Sequence, residues 1–356
     1  MKNIGIIGGG ASGVMCAITI KKHHPDYNVT ILEQNDRVLK KLLKTGNGKC
    51  NIFNHNIDKK YYNDFSLIEE YKDKIDLEKE FLDLGLLTKE LTLGRCYPYS
   101  EQAATVVSIL TKALENLNVN VLTKTICESI STNNGFIVNN KYKFDTLIIA
   151  SGSCSQEVTN GYTLLNKLNL KVTNLKPGLV SIKTKEKTKH LSGLRIKACD
   201  NKYNLDGEVL FKDDGLSGIL IFDLSRFLKE GDIISLDLMS DYSLSEVKNL
   251  IKSSDSIYGI LPKMLAKDII DRANGSLDKI CSILKNYTFT YLKSSDFNES
   301  QITLGGLDLH EIDEHFMTRK INNLYVIGEV LNVDGACGGY NLYFAWLSAI
   351  ATGLSL

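Results

Sequence analysis

Ile4-Gly5-Ile6-Ile7-Gly8-Gly9-Gly10-Ala11-Ser12-Gly13-Val14 carries a short apolar run straight into a G-x-G-x-x-G turn. Val14, Met15, Ala17 and Ile18 then recur at helical spacing as far as Pro25, and a second apolar run, Val29-Thr30-Ile31-Leu32, ends at Glu33. Strand, glycine turn, helix, strand and acid together make one βαβ nucleotide-binding unit. Each residue has a physical task in that unit. Gly8 permits the tight turn, Gly10 lets backbone approach a pyrophosphate, and Gly13 lets helix and strand pack closely. The helix start, with Ala11 and Ser12, turns unpaired N–H groups and a positive dipole end toward phosphate. Glu33, twenty residues after Gly13, is placed to accept hydrogen bonds from ribose hydroxyls. Nothing in the turn itself says whether the dinucleotide is NAD or FAD.

The later chain speaks to that choice. Thr146-Leu147-Ile148-Ile149-Ala150-Ser151-Gly152 and Leu324-Tyr325-Val326-Ile327-Gly328-Glu329 read as buried parallel strands that end in glycine. The second leads into Asp334-Gly335-Ala336-Cys337-Gly338-Gly339-Tyr340-Asn341-Leu342 and an apolar C-terminal helix. A nucleotide fold that begins near residue 4 and finishes near residue 328 encloses a large insertion. That discontinuous layout is similar to FAD enzymes, and it would set Glu329 at a ribityl hydroxyl. It would also set the backbone of residues 338–342 at the flavin edge where negative charge develops on reduction.

Within the insertion, Gly207-Glu208-Val209-Leu210-Phe211 and Ile233-Ile234-Ser235-Leu236-Asp237-Leu238 alternate as antiparallel strands do. Residues 243–287 take a helical period, opened by the capping box Ser243-x-x-Glu246. Thr288-Phe289-Thr290-Tyr291-Leu292 alternates again. The run Lys183-Thr184-Lys185-Glu186-Lys187-Thr188-Lys189 reads as a solvated hairpin tip, with a phosphate seat as its rival.

Composition narrows the class. The 356 residues balance 42 Lys and Arg against 42 Asp and Glu, and 43% are hydrophobic. Zero net charge supplies no broad field for a phosphate backbone or an anionic bilayer, so a dedicated nucleic-acid binder is disfavoured. The start, Met1-Lys2-Asn3, lacks the features of an export signal. The stretch 342–356 is too short and too interrupted to cross a bilayer and reads as a buried helix. Eight cysteines without a C-x-x-C pair read as reduced thiols in a cytoplasm. Metal catalysis lacks a ligand cluster, and Ser/His/Asp catalysis lacks a nucleophile elbow.

At this point the chain resembles the bacterial NAD(P)/FAD-dependent oxidoreductases that include aminoacetone oxidases and 3-dehydro-bile-acid reductases. The match runs from Ile4 to about Gly353. It is carried by Lys41-Leu42-Leu43-Lys44-Thr45-Gly46-Asn47-Gly48-Lys49-Cys50-Asn51, Tyr97-Pro98-Tyr99-Ser100, Gly215-Leu216-Ser217-Gly218, Thr303-Leu304-Gly305-Gly306 and the two glycine turns. The resemblance implies an α/β fold: a Rossmann-like FAD-binding domain of glutathione-reductase type, interrupted by a β-barrel-like domain and a small helical subdomain. The boundaries expected are 1–174 with 305–356 for the FAD domain, 175–242 with 288–304 for the barrel, and 243–287 for the helices. It further implies that Lys41 and residues 45–51 lie against FAD, that Ala150, Ser151 and Gly152 support the nucleotide, and that Gln34, Ile126 and Asp334 belong to the same site.

The pattern is not followed everywhere. Leu39-Lys40-Lys41 stands where the family usually has Gly-Arg-Lys, and Asn47-Gly48-Lys49-Cys50-Asn51 where it has Gly-Gly-Arg-Cys-Asn. Lysine keeps the charge but lacks the planar fork that binds an anion through two parallel bonds. Asn332 replaces a usual Asp, and Tyr343-Phe344 a usual Gln-Trp, so substrate identity does not carry across.

The expected chemistry is hydride transfer between flavin and a small organic substrate, with NAD(P)H as a transient donor. An amine oxidase releasing peroxide is the alternative enzyme, and a flavin-binding protein without turnover is a third reading. No second strand–G-x-G-x-x-G–helix follows, so a nicotinamide would reach the flavin through a less regular site. Tyr97, Cys337 and Tyr340 are the candidate proton donors. Each has a rival reading as a packing residue, as does Cys50.

Overall fold

The computed structural model describes residues 2–133, 135–156 and 159–356; Met1, named above in the first strand's approach, lies outside them. The chain divides into two compact units, 1–176 with 302–356 and 177–301.

The first unit is built on a five-stranded parallel sheet. Its strands are β1 (Asn3–Ile7), β2 (Asn28–Leu32), β3 (Asn120–Leu122), β4 (Thr146–Ile149) and β5 (Leu324–Val326), in the order β5-β4-β1-β2-β3. Every neighbouring pair runs parallel. Helix α1 (Ala11–His23) joins β1 to β2 and buries nearly all of its first nine residues. Its acid-free first turn follows Gly10, and Lys21, Lys22 and His23 crowd the last turn, where positive charge suits the dipole.

Strand β4, apolar after Thr146, is buried on both faces, as parallel strands covered by helices are. The C-terminal helix α2 (Tyr340–Ser355) is likewise buried almost all round. It lies tightly on α1: a Cβ on Gly353 would sit 2.7 Å from Thr19 Cβ. The two ends of the polypeptide therefore share one core. No helix among the described residues is long and apolar enough to cross a membrane.

In the second unit, six antiparallel strands close into a barrel in the order Ile182–Thr184, Gly215–Ser217, Leu205–Lys212, Arg195–Asp200, Ile233–Asp237, Tyr287–Ser294. Between the last two, the chain forms the helices Leu244–Leu250, Lys263–Arg272 and Leu277–Lys285. The capping box at Ser243 and Glu246 is formed. Val247, Leu265, Ile269 and Leu284 of these helices join Val209, Phe211, Leu236 and Phe289 of the barrel in one hydrophobic core.

Two expectations for this stretch need correction. The run from Lys183 to Lys189 is not a hairpin tip. Its first residues are barrel strand, Thr188 is fully buried, and the Glu186 carboxylate accepts from Thr290 N at 2.8 Å and Thr290 Oγ1 at 2.9 Å. Alternating charge hid a strand because each lysine can send its head to water while the backbone pairs. A short helix, Ile219–Leu224, also lies within the stretch 175–242 expected to form the barrel.

Candidate functional site

The first glycine turn is tied to the sheet on both sides. Gly8 donates to Leu32 O at 2.9 Å, and Ala150 donates to Ile7 O at 2.8 Å. Gly8 has φ +106°, and a Cβ there would lie 2.3 Å from Ala150 O; a Cβ on Gly13 would lie 2.0 Å from Gly8 O. These glycines are required by packing and backbone alone. Gly10 differs: a Cβ there meets nothing within 4 Å. The helix start therefore faces open space, as a pyrophosphate cradle must.

Glu33 is buried at the end of β2. One carboxylate oxygen accepts from Gly9 N at 2.7 Å; the other accepts from Asn35 N at 2.7 Å and Asn35 Nδ2 at 2.8 Å. The acid thus braces the turn, and the second lone pair of the oxygen that meets Gly9 stays available to a hydroxyl donor. Gln34 follows it, half-buried, while Ile126 is exposed.

A second turn meets this one from the far end of the chain. Gly328 has φ +75°, and a Cβ there would lie 2.4 Å from Ser12 Oγ. Its N–H donates to Ser348 Oγ of α2 at 3.1 Å. Glu329 pairs with Lys41 at 2.9 Å, and the same ammonium donates to Ser155 Oγ at 2.7 Å. Residues 333–341 are then closed internally: Asn341 Oδ1 accepts from Gly335 N, and Asn341 Nδ2 donates to Gly335 O, both at 2.8 Å. Asp334 is buried here, its backbone N–H donating to Asn63 Oδ1 at 2.8 Å.

The loop bearing Thr45, Gly46, Asn47, Gly48, Lys49, Cys50 and Asn51 reaches the start of α2. A Cβ on Gly339 would lie 2.8 Å from Phe53 O and 2.9 Å from Asn51 Oδ1. Gly338 O accepts from Asn54 Nδ2 at 2.9 Å. Leu342 follows in the first turn of α2, half-buried.

Two observations bear on whether FAD fits. Among the described residues, Asn51 Oδ1 and Ser151 Oγ are buried without a hydrogen-bond partner, which is costly unless something polar joins them. Gly48 and Gly152, like Gly10, have open space where a side chain would go. These features surround the same turns, so the residues present suit a dinucleotide with a polar body.

The proposed proton donors are differently placed. Tyr340 is buried, stacked on Tyr61 with ring centroids 4.4 Å apart and met edge-on by Tyr62 at 5.7 Å. Tyr97 is half-buried, with its ring edge 3.6 Å from where a Cβ on Gly46 would be. Cys337 is half-buried in the second turn. Cys50 is fully buried, and burial pushes its thiol up to about 11, so it stays protonated and unreactive at neutral pH.

Sequence reasoning missed the residues that clamp the second turn from outside. Ala336 N donates to Tyr61 O at 2.8 Å, Tyr62 OH donates to Tyr340 O at 3.0 Å, and Asn63 N donates to Asp334 O at 3.0 Å. Ser153 and Ser155 around Lys41 were missed too. Nothing in their spacing announces them, because their partners lie more than a hundred positions away.

Parallel sheet, paired glycine turns and inserted barrel define a Rossmann-type, FAD-binding oxidoreductase. The chain belongs to the HI0933-like protein Rossmann domain family, whose model matches residues 2–355. It is 28% identical to the 3-dehydro-bile acid delta(4,6)-reductase of Clostridium scindens, covering 99% of this chain and 98% of that protein. It is 26% identical to the ribosomal RNA dihydrouridine synthase of Haemophilus influenzae, covering 99% and 97% respectively. Among solved structures it is similar to the 3-ketosteroid-delta4-(5alpha)-dehydrogenase of Rhodococcus jostii RHA1, with a TM-score of 0.53 and 12% identity over 99% of this chain and 96% of that one. That last likeness concerns the fold.

Proposed function

We propose that this FAD-dependent oxidoreductase reduces a carbon–carbon double bond conjugated to a carbonyl in a small organic substrate, with NAD(P)H as electron donor. The observation that carries the reading is the meeting of three segments in one unit: the turn 8–13, the loop 41–51 and the turn 328–341. The full-length similarity to a bile-acid reductase supports the direction of reaction. Bound FAD would supply the hydride chemistry.

The chain's own residues would do the rest. Gly8, Gly10, Ala11, Ser12 and Gly13 would hold the pyrophosphate, Glu33 the adenosine ribose, and Lys41 with Glu329 the ribityl side. Asn51 and the start of α2 would face the ring, where the helix dipole favours developing negative charge. Tyr97 is the proton donor we propose, because its ring borders the glycine loop and Tyr340 is packed between two other tyrosines. We assign the barrel, 175–242 with 288–304, and the helices 243–287 to substrate selection.

The test is anaerobic mixing of the flavin-loaded protein with NADH or NADPH, followed by a conjugated enone. Flavin absorbance should bleach with the nicotinamide and return with the enone. No bleaching with either donor rejects the reading.

A second reading follows from the similarity to a ribosomal RNA dihydrouridine synthase, namely reduction of uridine in RNA. Zero net charge disfavours it. Reoxidation of the reduced protein by ribosomal RNA, but not by small enones, would select it instead.

A further inference from the structure

The loop 45–51 is an awkward piece of backbone. Gly46, Asn47, Gly48 and Cys50 all have positive φ, at 55°, 54°, 82° and 58°. Its internal backbone bonds, Lys49 N to Gly46 O at 3.1 Å and Cys50 N to Thr45 O at 3.0 Å, shape the turn from within. Residues 46–49 are exposed.

The tie comes from Glu101. One carboxylate oxygen accepts from Lys49 Nζ at 2.8 Å, and the other from Lys89 Nζ, also at 2.8 Å. Lys89 lies on the strand Thr88–Glu90, which pairs with Arg95–Pro98, and that strand in turn pairs with Phe53–Asn54 immediately after the loop. Glu101 thus links the loop's tip to the small sheet that holds its exit. Hydrogen bonds from Lys49 and then Lys89 hold its carboxyl down to about 2, so the link is charged at any ordinary pH.

We propose that Glu101 is a positioning residue for FAD binding, acting through Lys49 to hold the loop 45–51 in its binding shape. The proposal rests on the reading that this loop lies against FAD. A single exposed ion pair contributes little, but one carboxylate shared by two lysines restrains both ends of a short path.

The experiment is a double-mutant cycle on FAD affinity, read from flavin fluorescence, with hydrogen exchange of the loop amides in the flavin-free protein. At low salt, Glu101→Gln should weaken FAD binding by about threefold. The loss should vanish in a Lys49→Met background, because Glu101 then has no loop residue to hold, and should shrink at about 1 M salt, where ionic interactions are screened. Exchange at residues 46–50 should quicken in Glu101→Gln while the urea midpoint stays unchanged. An unaltered affinity at low salt, an equal loss in the Lys49→Met background, or unaltered exchange would each overturn the proposal. Failure of the wild-type protein to take up FAD would instead overturn the reading of the site, and the exchange measurement would still decide whether Glu101 holds the loop.

Discussion

Lys41 and Glu329, 288 positions apart in the chain, meet through a 2.9 Å ion pair that is largely shielded from solvent. Motif reading assigned each to the cofactor separately. The structure shows that they first neutralise each other, with Ser155 receiving a second bond from the lysine. The pair fastens the loop after β2 to the end of β5, so one contact joins the N-terminal and C-terminal parts of the site.

Breaking the pair from one side should therefore cost stability. Glu329→Gln leaves a half-buried ammonium without its counter-charge and should lower the unfolding free energy by about 1–2 kcal/mol. Adding Lys41→Met should restore part of that loss, since no charge then stays unmatched. Urea unfolding of the two single variants and the double variant measures the coupling. Strict additivity would show that the two side chains do not depend on each other.

The glycines of the first turn should separate folding from cofactor binding. Gly13→Ala drives a methyl to 2.0 Å from Gly8 O and should destabilise the fold by about 3 kcal/mol or more. A Cβ at Gly10 meets nothing within 4 Å, so Gly10→Val should cost the fold far less than Gly13→Ala, about 1 kcal/mol for the poorer helix N-cap, yet abolish retention of flavin colour. A yellow Gly10→Val protein would mean that the cradle has been misplaced.

Buried thiols should make the protein alkali-sensitive. Burial raises Cys50 to about 11, and Cys96 and Cys127 to about 12, from an ordinary value of 9.0. These groups hold their protons longer folded than unfolded. Their contribution is complete below pH 9 and is lost as pH rises toward 11 to 12, where unfolding releases the protons. Cys50 alone should account for a decline on the order of 2 kcal/mol. Unfolding free energies measured from pH 8 to 11 should fall accordingly, and at pH 8 maleimide should leave these three cysteines unlabelled in the folded state. A flat profile would contradict the burial.

Asn51 offers a sharper test of the ring-facing end. Its Oδ1 is buried and without a partner, so Asn51→Leu should change the flavin-free protein's stability by less than about 1 kcal/mol. The same variant should loosen FAD by about tenfold, the weight of one lost hydrogen bond in a dry site. Flavin titration beside urea unfolding distinguishes the outcomes, and equal FAD affinity would remove Asn51 from the site.

How much was legible depended on the range of the interaction. The strand–turn–helix–strand unit from Ile4 to Glu33 could be read directly, because periodicity and glycine requirements act over a few residues and leave their mark in order along the chain. The capping box at Ser243 and the apolar terminal helix were readable for the same reason. The run from Lys183 to Lys189 misled, since its charges report only where side-chain heads go and not that the backbone closes a barrel. Glu33 was placed by its spacing, whereas its bonds to Gly9 and Asn35 had to be seen. Tyr340's enclosure by Tyr61 and Tyr62, the pairing of Lys41 with Glu329, and the double hold of Lys49 and Lys89 on Glu101 all arise where segments distant in sequence pack together. Local chemistry thus marked this chain as a dinucleotide binder, and the spacing of its two glycine turns along the whole chain pointed to FAD. Only tertiary packing decided which side chains are already engaged with one another, because proximity across a folded core leaves no spacing rule behind.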